Sequence, residues 1–248
     1  MNQSKYNPEF IDMPLNRHTL FAYTVRTLLQ RAVHDNTPSF KGVLVDLACG
    51  EMPYKQYILD HNKDITKYIG IDVNYVPEYQ QFKADMEWDG KKIPLADNSV
   101  DTLIATEFFE HIDNLEEVLV EIRRVLKKDG LLFFTVPFVW PLHVTPYDEY
   151  RYTPFSLIKT FKKAGFDKIT IGNLGGHHAA LAQMICIWQQ NFVNHLWGTK
   201  KAKVFAAFRS IVLVPIVWLL MSRDKGFDRS VYDKENFISP GWYGKAEK

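Results

Sequence analysis

A repeated pattern of short apolar runs, each ending in small or acidic residues, constrains this chain most. The first is GVLVDLACG, in which Val43, Leu44, Val45 and Leu47 stop at Ala48, Cys49 and Gly50. A strand buried on both faces reads this way, and such strands belong to parallel sheets covered by helices. YIGIDV (Tyr68 to Val73) is a second run, QFKA before Asp85 a weaker third, Val100 to Ala105 a fourth and LLFFTV (Leu131 to Val136) a fifth. KITI at 168–171 makes a sixth, and the tail WYGKAEK fits a last edge strand.

Helical patterns lie between these runs. Residues 16–34 space Leu20, Tyr23, Leu28, Leu29 and Val33 as a helix does. Residues 114–128 line one face with Leu115, Val118, Leu119, Ile122, Val125 and Leu126. Asp113 or Asn114 suits its start, Lys127 and Lys128 its end, and Gly130 the left-handed stop. Ser156 to Ala164 reads as a short helix ended by Gly165, after a Pro-rich aromatic loop, PFVWPLHVTPYDEYRYTP. Strands alternating with helices predict an α/β fold, a Rossmann-like doubly wound, mostly parallel sheet.

The organisation expected is an arm and helix over 1–39, the sheet core over 40–172, a helical apolar insertion over 173–238 and a C-terminal edge strand over 239–248. The insertion carries no Asp, Glu, Lys or Arg between Lys168 and Lys200, then a basic patch (Lys200, Lys201, Lys203, Arg209), then SIVLVPIVWLLM. That last run, 210–221, is short for a membrane span of about 20 residues and is interrupted by Pro215. It reads either as packing on the sheet or a homodimer contact, or as an interfacial membrane segment or apolar lid, with Lys and Arg snorkelling near Trp197 and Trp218.

With 30 Lys+Arg against 29 Asp+Glu and a net charge of +1, the chain lacks the strong positive field that nucleic-acid binding needs. Two cysteines, Cys49 and Cys186, make no disulfide framework, and MNQSKYNPEF lacks the apolar stretch of a signal peptide. The expectation is a cytoplasmic protein, and on the second reading of the insertion one in peripheral contact with the inner membrane face through 200–225.

Ligands of a doubly wound sheet bind outside the carboxyl ends of its strands. Small residues at Ala48, Cys49 and Gly50 let backbone approach a ligand closely. Asp72, 22 residues after Gly50, is placed to accept hydrogen bonds from ribose hydroxyls. Asp85 is a candidate partner for a base amino group. The loop Ala48-Cys49-Gly50-Glu51-Met52-Pro53 is not Gly-x-Gly-x-x-Gly, and Glu51 would repel a pyrophosphate. A ribose- and adenine-bearing ligand without phosphate fits better, and S-adenosylmethionine is one.

VLVDLACG, IGIDV, and IPLADNSVDTLIATEFFEHI followed by LEEVLVEIRRVLKKDGLLFFTVP resemble, in this order, motifs of the class I S-adenosylmethionine-dependent methyltransferases of the type 11 subgroup. The resemblance covers about residues 40–171 and implies that fold with S-adenosyl-L-methionine as cofactor. It implies that Asp46 and the backbone of Ala48, Cys49 and Gly50 line the methionine part. Asp72 would hold the ribose, Val73 would lie against the adenine, Asp85 and Met86 would flank it, and Thr106 would sit below the cofactor. Ala48 stands where the family usually has Gly, and Met52-Pro53 implies a differently shaped turn.

A base is needed only for a poorly ionised acceptor such as a hydroxyl, and His suits neutral pH. His143 ranks first, in a loop with Tyr147, Asp148, Tyr150 and Arg151; His111 ranks second, ahead of His177 and His178 after Gly175-Gly176. No metal-ligating set is assigned. HVTPYDEYRYTP is also similar to methyltransferases that accompany surface-polysaccharide or lipid-linked glycan enzymes, which points to a small-molecule, sugar or lipid-linked glycan acceptor. The alternatives are a non-catalytic S-adenosylmethionine-binding scaffold protein and, further off, an NAD-dependent oxidoreductase.

Overall fold

The computed structural model describes residues 5–73, 84–196, 201–224 and 237–248. In chain order these form α1 (Leu20–Asn36), β1 (Gly42–Leu47), α2 (Lys55–His61), β2 (Ile65–Val73), β3 (Met86–Trp88), β4 (Val100–Thr106), α3 (Leu115–Val125) and β5 (Leu126–Pro137). Then come α4 (Pro154–Lys163), β6 (Lys168–Asn173), α5 (His177–Leu196), α6 (Lys201–Phe208), a π-helical turn Arg209–Leu213, α7 (Val214–Arg223) and β7 (Gly241–Glu247). Two compact units result, one of residues 33–137, 143–171 and 242–248, the other of 1–32, 138–142 and 172–241.

The sheet has the order β3-β2-β1-β4-β5-β7-β6. β1 lies parallel between β2 and β4, with β3 parallel to β2 and β5 parallel to β4. The chain leaves β1 toward one edge and re-enters at β4 on its other side, so the switch point, where such sheets open a crevice, falls at the carboxyl tips of β1 and β4. Leu44, Leu47, Leu103, Leu132, Phe133 and Phe134 are fully buried, as strands covered on both faces require. α3 turns Leu119, Ile122 and Val125 into the core. α4 is started by Thr153, whose hydroxyl accepts from the Ser156 N–H while Ser156 Oγ accepts from the Thr153 N–H, with Pro154 at the first helical position. Its Phe161 ring then meets Phe134 at 4.8 Å between centroids.

Several expectations need correction. β7 is no edge strand: it lies between β5 and β6. Lys248 N–H donates to Gly130 at one end and Phe138 N–H to Pro240 at the other, so β7 runs antiparallel to β5. Small Gly244 and Ala246 let it pass close to its neighbours. The third strand follows Asp85 rather than ending there; Gln81, Phe82 and Lys83 of the expected strand, like Trp197 and Lys200, lie outside the described residues. α3 ends at Val125, three residues short, because Val100 pairs with Leu126 and Thr102 with Leu131. Lys127 to Gly130 therefore bulge from β5, and Asp129 at φ 60° takes the left-handed position expected of Gly130. Asn114 caps α3 by position, but its side chain makes no capping bond.

In the other unit, α5 and the α6–α7 helix form a hairpin. Asp224, just after α7, accepts from the Gly176 and Ala179 N–H groups at the start of α5, 2.9 and 3.0 Å away. The α6–α7 helix is continuous over Lys201–Arg223, 23 residues, so Pro215 does not interrupt it. The π turn just before Pro215 widens the helix where a proline ring would otherwise meet the preceding turn's carbonyl. By length and composition this helix could cross a membrane.

A Cβ on Gly244 would lie 2.3 Å from the ring of Phe134, which is fully buried and cannot retreat. We expect Gly244→Ala to lower stability by about 1–3 kcal/mol, read as a lower urea midpoint at unchanged slope.

Candidate active site

The tips of β1 and β2 form one side of the site. The loop after β1 turns through left-handed backbone at Ala48 (φ 58°), Gly50 (φ 46°) and Met52 (φ 50°). For Ala48 and Met52 that conformation costs about 1–2 kcal/mol each, so the surroundings must hold it. They do: the Gly50 N–H donates to Asp72 Oδ2 at 2.6 Å and the Cys49 N–H to the Ile71 carbonyl at 3.2 Å. Asp72 Oδ1 accepts from the Val73 N–H at 2.7 Å. Each carboxylate oxygen keeps a second lone pair, the two acceptor sites a ribose diol requires. A Cβ on Gly50 would meet nothing within 4 Å, so the loop presents bare backbone to an open face.

Asp46 lies beneath this loop, 2% exposed, with its Oδ2 accepting from the Tyr68 hydroxyl at 2.6 Å. Burial pushes its carboxyl up to about 7, the Tyr68 bond pulling against it and the charge of Asp72 adding to it. Burial also raises Asp72, opposed by the Gly50 and Val73 N–H groups. Cys49 is buried, and burial with the charge of Asp46 raises its thiol, so it is a packed residue and no nucleophile. Asp85 Oδ2 accepts from the Gly70 N–H at 2.8 Å and faces Lys55 Nζ at 3.6 Å. In the sheet, Met86 pairs with Ile71 and Val73 with Trp88, and Thr106 ends β4.

Past β4 the chain turns through Glu107 (φ 50°), whose N–H donates to Thr135, into a 3-10 turn Phe109–His111. This turn and the 143–151 loop bring His111 and His143 together, their rings edge to face at 4.9 Å. Between them is Glu110, completely buried, a residue not chosen from the sequence. Its Oε1 lies 3.7 Å from His111 Nε2 and 3.9 Å from His143 Nε2, and neither of its oxygens accepts a hydrogen bond. Burial and the charge of Glu107 push the Glu110 carboxyl well above its usual range. Burial lowers His111, its bond to the Tyr147 carbonyl partly opposing the shift.

Asp148 organises the loop. Its carboxylate accepts from the His143 backbone N–H and Nδ1, at 3.1 and 3.0 Å, and from both terminal nitrogens of Arg151, at 2.6 and 2.7 Å. Burial alone would raise this carboxyl, but Arg151 and His143 outweigh it and hold it down at about 2. Arg151 is thereby committed to Asp148. His177 and His178 belong to the first turn of α5, in the other unit. Tyr68, Glu107 and Glu110 are the site residues that sequence reasoning passed over. The one available signal was the placement of Glu107, Glu110 and His111 directly after a buried run, where such sheets keep their chemistry.

A carboxyl raised by burial retains its proton longer in the folded state, so Asp46 stabilises the fold at low pH and loses that contribution as pH rises from about 4 to about 7. Three units correspond to at most about 4 kcal/mol. Asp46→Asn keeps an acceptor for Tyr68 and removes this slope. Urea midpoints of the two proteins should converge near pH 4 and separate by pH 8, with the variant more stable.

The profile of a family described as a methyltransferase domain matches residues 45–134. No curated protein matches the chain. Among solved structures, a SAM-dependent methyltransferase from Thermotoga maritima aligns at 14% identity over 94% of this chain and 90% of that one, TM-score 0.52. One from Archaeoglobus fulgidus aligns at 16% identity over 94% and 95%, TM-score 0.52. Phosphoethanolamine N-methyltransferase 2 of Haemonchus contortus, solved with S-adenosyl-L-methionine, aligns at 15% identity over 97% of this chain and 59% of that one, TM-score 0.51. Residues 45–134 thus match the model of a methyltransferase domain, and the chain has the fold of the class I S-adenosylmethionine-dependent methyltransferases.

Proposed function

We propose that the protein transfers a methyl group from S-adenosylmethionine to a hydroxyl of a lipid-linked glycan or other lipid-borne acceptor at an anionic membrane surface. The observation that carries the donor assignment is the pairing of bare loop backbone at Ala48–Gly50 with the Asp72 carboxylate. It offers acceptors to ribose hydroxyls while withholding the phosphate cradle that a dinucleotide needs. Asp72, whose carboxylate accepts two backbone N–H bonds, also supplies negative charge beside a sulfonium cation. The acceptor oxygen attacks the methyl carbon in line, the carbon–sulfur bond breaks, its electron pair stays on sulfur, and the acceptor loses a proton. Alignment contributes about 7–11 kcal/mol. His143, oriented by Asp148, activates the acceptor, and the His111 ring lies against it.

Membrane contact is supported by the helical unit. α5 exposes Leu181, Met184, Trp188 and Phe192 at steps of three and four, and α6–α7 expose Val204, Phe208, Ile211, Trp218 and Leu219. Only 17% of the most apolar window of α6–α7 is buried. Between Asp167 and Asp224 the sequence has no acidic residue, whereas Lys201, Lys203, Arg209 and Arg223 are basic. Arg17, His18, Lys203 and Arg209 line a cavity of about 430 Å³ with Phe205. Cations around an apolar face fit anionic head groups. Leu213, Val217 and Met221 are buried in the hairpin, and Arg209 divides the apolar run, so the helix lies in the interface rather than across the bilayer. Peripheral attachment at the inner face of the cytoplasmic membrane is the location we propose.

Calorimetric titration tests the donor. S-adenosylmethionine should bind and NAD should not, and Asp72→Ala should weaken binding at least tenfold, about 1.4 kcal/mol. An unchanged dissociation constant removes Asp72 from the site. Once an acceptor is in hand, His143→Ala should slow turnover about a hundredfold or more with cofactor affinity intact.

Co-sedimentation tests the membrane. The protein should pellet with anionic vesicles and stay in the supernatant with phosphatidylcholine alone, and Lys203→Glu with Arg209→Glu should abolish pelleting. Equal recovery in the supernatant under all conditions would assign the apolar stripes to contact between copies of the chain.

A further inference from the structure

A buried carboxyl and two imidazole rings converge at Glu110, His111 and His143 with no hydrogen bond among the three. His111 Nδ1 lies 2.9 Å from the Tyr147 carbonyl, which only accepts, so Nδ1 carries the ring proton and Nε2 is left as a lone pair. His143 Nδ1 lies 3.0 Å from Asp148, whose carboxylate is held ionised by Arg151, so its Nε2 is likewise a lone pair. Both lone pairs face Glu110, which is completely buried with two oxygens lacking a hydrogen-bond partner. One carboxylate oxygen and one ring nitrogen of each histidine lie within 4.8 Å of one another. Buried acceptors left facing each other cost several kcal/mol unless a cation or a proton sits between them.

The geometry points to a divalent metal site, with Glu110, His111 Nε2 and His143 Nε2 as protein ligands and the remaining positions open. Two imidazoles and one carboxylate suit a zinc-class ion, and also cobalt, manganese or ferrous iron. Such donors sit about 3.4 Å apart around a tetrahedral ion, so Glu110 Oε1 and each Nε2 close by a few tenths of an ångström and the widest pair, within 4.8 Å, by up to about 1.4 Å. The supporting contacts are those that metal-bound imidazoles use: the Asp148 carboxylate behind His143 and the Tyr147 carbonyl behind His111. Glu107 adds negative charge beside Glu110, while Arg151, the nearby cation, is spent on Asp148.

The role of this site rests on the proposed function in one respect, that the acceptor lies on this side of the transferable methyl. An ion with open positions would bind the acceptor hydroxyl and lower its pKa so that the proton passes to solvent water, and His143 would then activate the acceptor through the ion it holds.

Metal binding is testable without donor or acceptor. The purified full chain, stripped with a chelator and dialysed, is titrated with Co2+ while its visible d–d absorption is followed, and with Zn2+ by competition. One ion should bind. Glu110→Gln, which keeps shape and loses charge, and His143→Ala should each weaken Co2+ binding at least tenfold, and Asp148→Asn about 10–100-fold. Far-ultraviolet circular dichroism and titration with S-adenosylmethionine on the same variants establish folding and an intact cofactor site. Absence of saturable binding of both ions, or binding unaffected by Glu110→Gln and His143→Ala, overturns the site and leaves a shared proton between Glu110 and the histidines. Loss of cofactor binding with Co2+ binding intact would instead sink the donor assignment alone.

Discussion

The structure depends on how a parallel sheet covered on both faces disposes of its polar residues. Its strands can carry apolar side chains along their length, but their carboxyl ends must emerge into loops, and every charge the chain retains there collects along one edge. In this chain the edge is acidic. Asp46 and Asp72 stand at the tips of β1 and β2, and Glu107 and Glu110 follow β4. The fold accommodates them by different means. Asp72 is held by two backbone N–H groups and Asp46 by a buried tyrosine hydroxyl, while Asp148 has the full fork of an arginine. Glu110 has none of these.

That same edge explains why the β1 loop has its shape. Without a glycine-rich phosphate cradle, the loop is drawn down onto Asp72 through the Gly50 N–H, and left-handed turns at Ala48 and Met52 are the conformational cost of that closure. A sequence with glycine at all three positions would close the loop with less strain. Here the hydrogen bonds and the packing of Cys49 and Met52 over Gly70 hold it instead.

Most of the sheet was legible because burial on both faces leaves continuous apolar runs, and β1, β2, β4, β5 and β6 fall where those runs lie. What escaped was set by partners distant in sequence. The early end of α3 follows from β5 beginning at Leu126 and bulging at Asp129 to meet Lys248. The inner place of β7 follows from the ring of Phe134 filling the space that Gly244 leaves. Continuity of the helix through Pro215 required a π turn, which no residue preference announces. α2, only seven residues, has too short a periodic pattern to stand out. In the site, the acids at strand ends were legible from position alone. The partnership of Glu110 with two histidines, one of them 33 residues onward in a different loop, was not.

The two proposals about the site share one electrostatic argument. A concentration of carboxylates at a sheet edge is destabilising unless cations come to it, and the described cations near this edge are engaged: Arg151 with Asp148, Lys55 with Asp85. The remaining carboxyls divide into two places, one at Asp46 and Asp72 and one at Glu107 and Glu110, and burial without a cation raises Asp46 and Glu110. A sulfonium donor carries a single positive charge and suits the first, where hydrogen-bond acceptors for a sugar lie beside it. The second has a buried carboxyl between two imidazole nitrogens, a donor set that favours a small ion of higher charge. Binding at either place relieves repulsion and desolvation at the same edge. Both ligands are positive and draw on one negative field, so each weakens the electrostatic attraction left for the other, by an amount that falls with their separation.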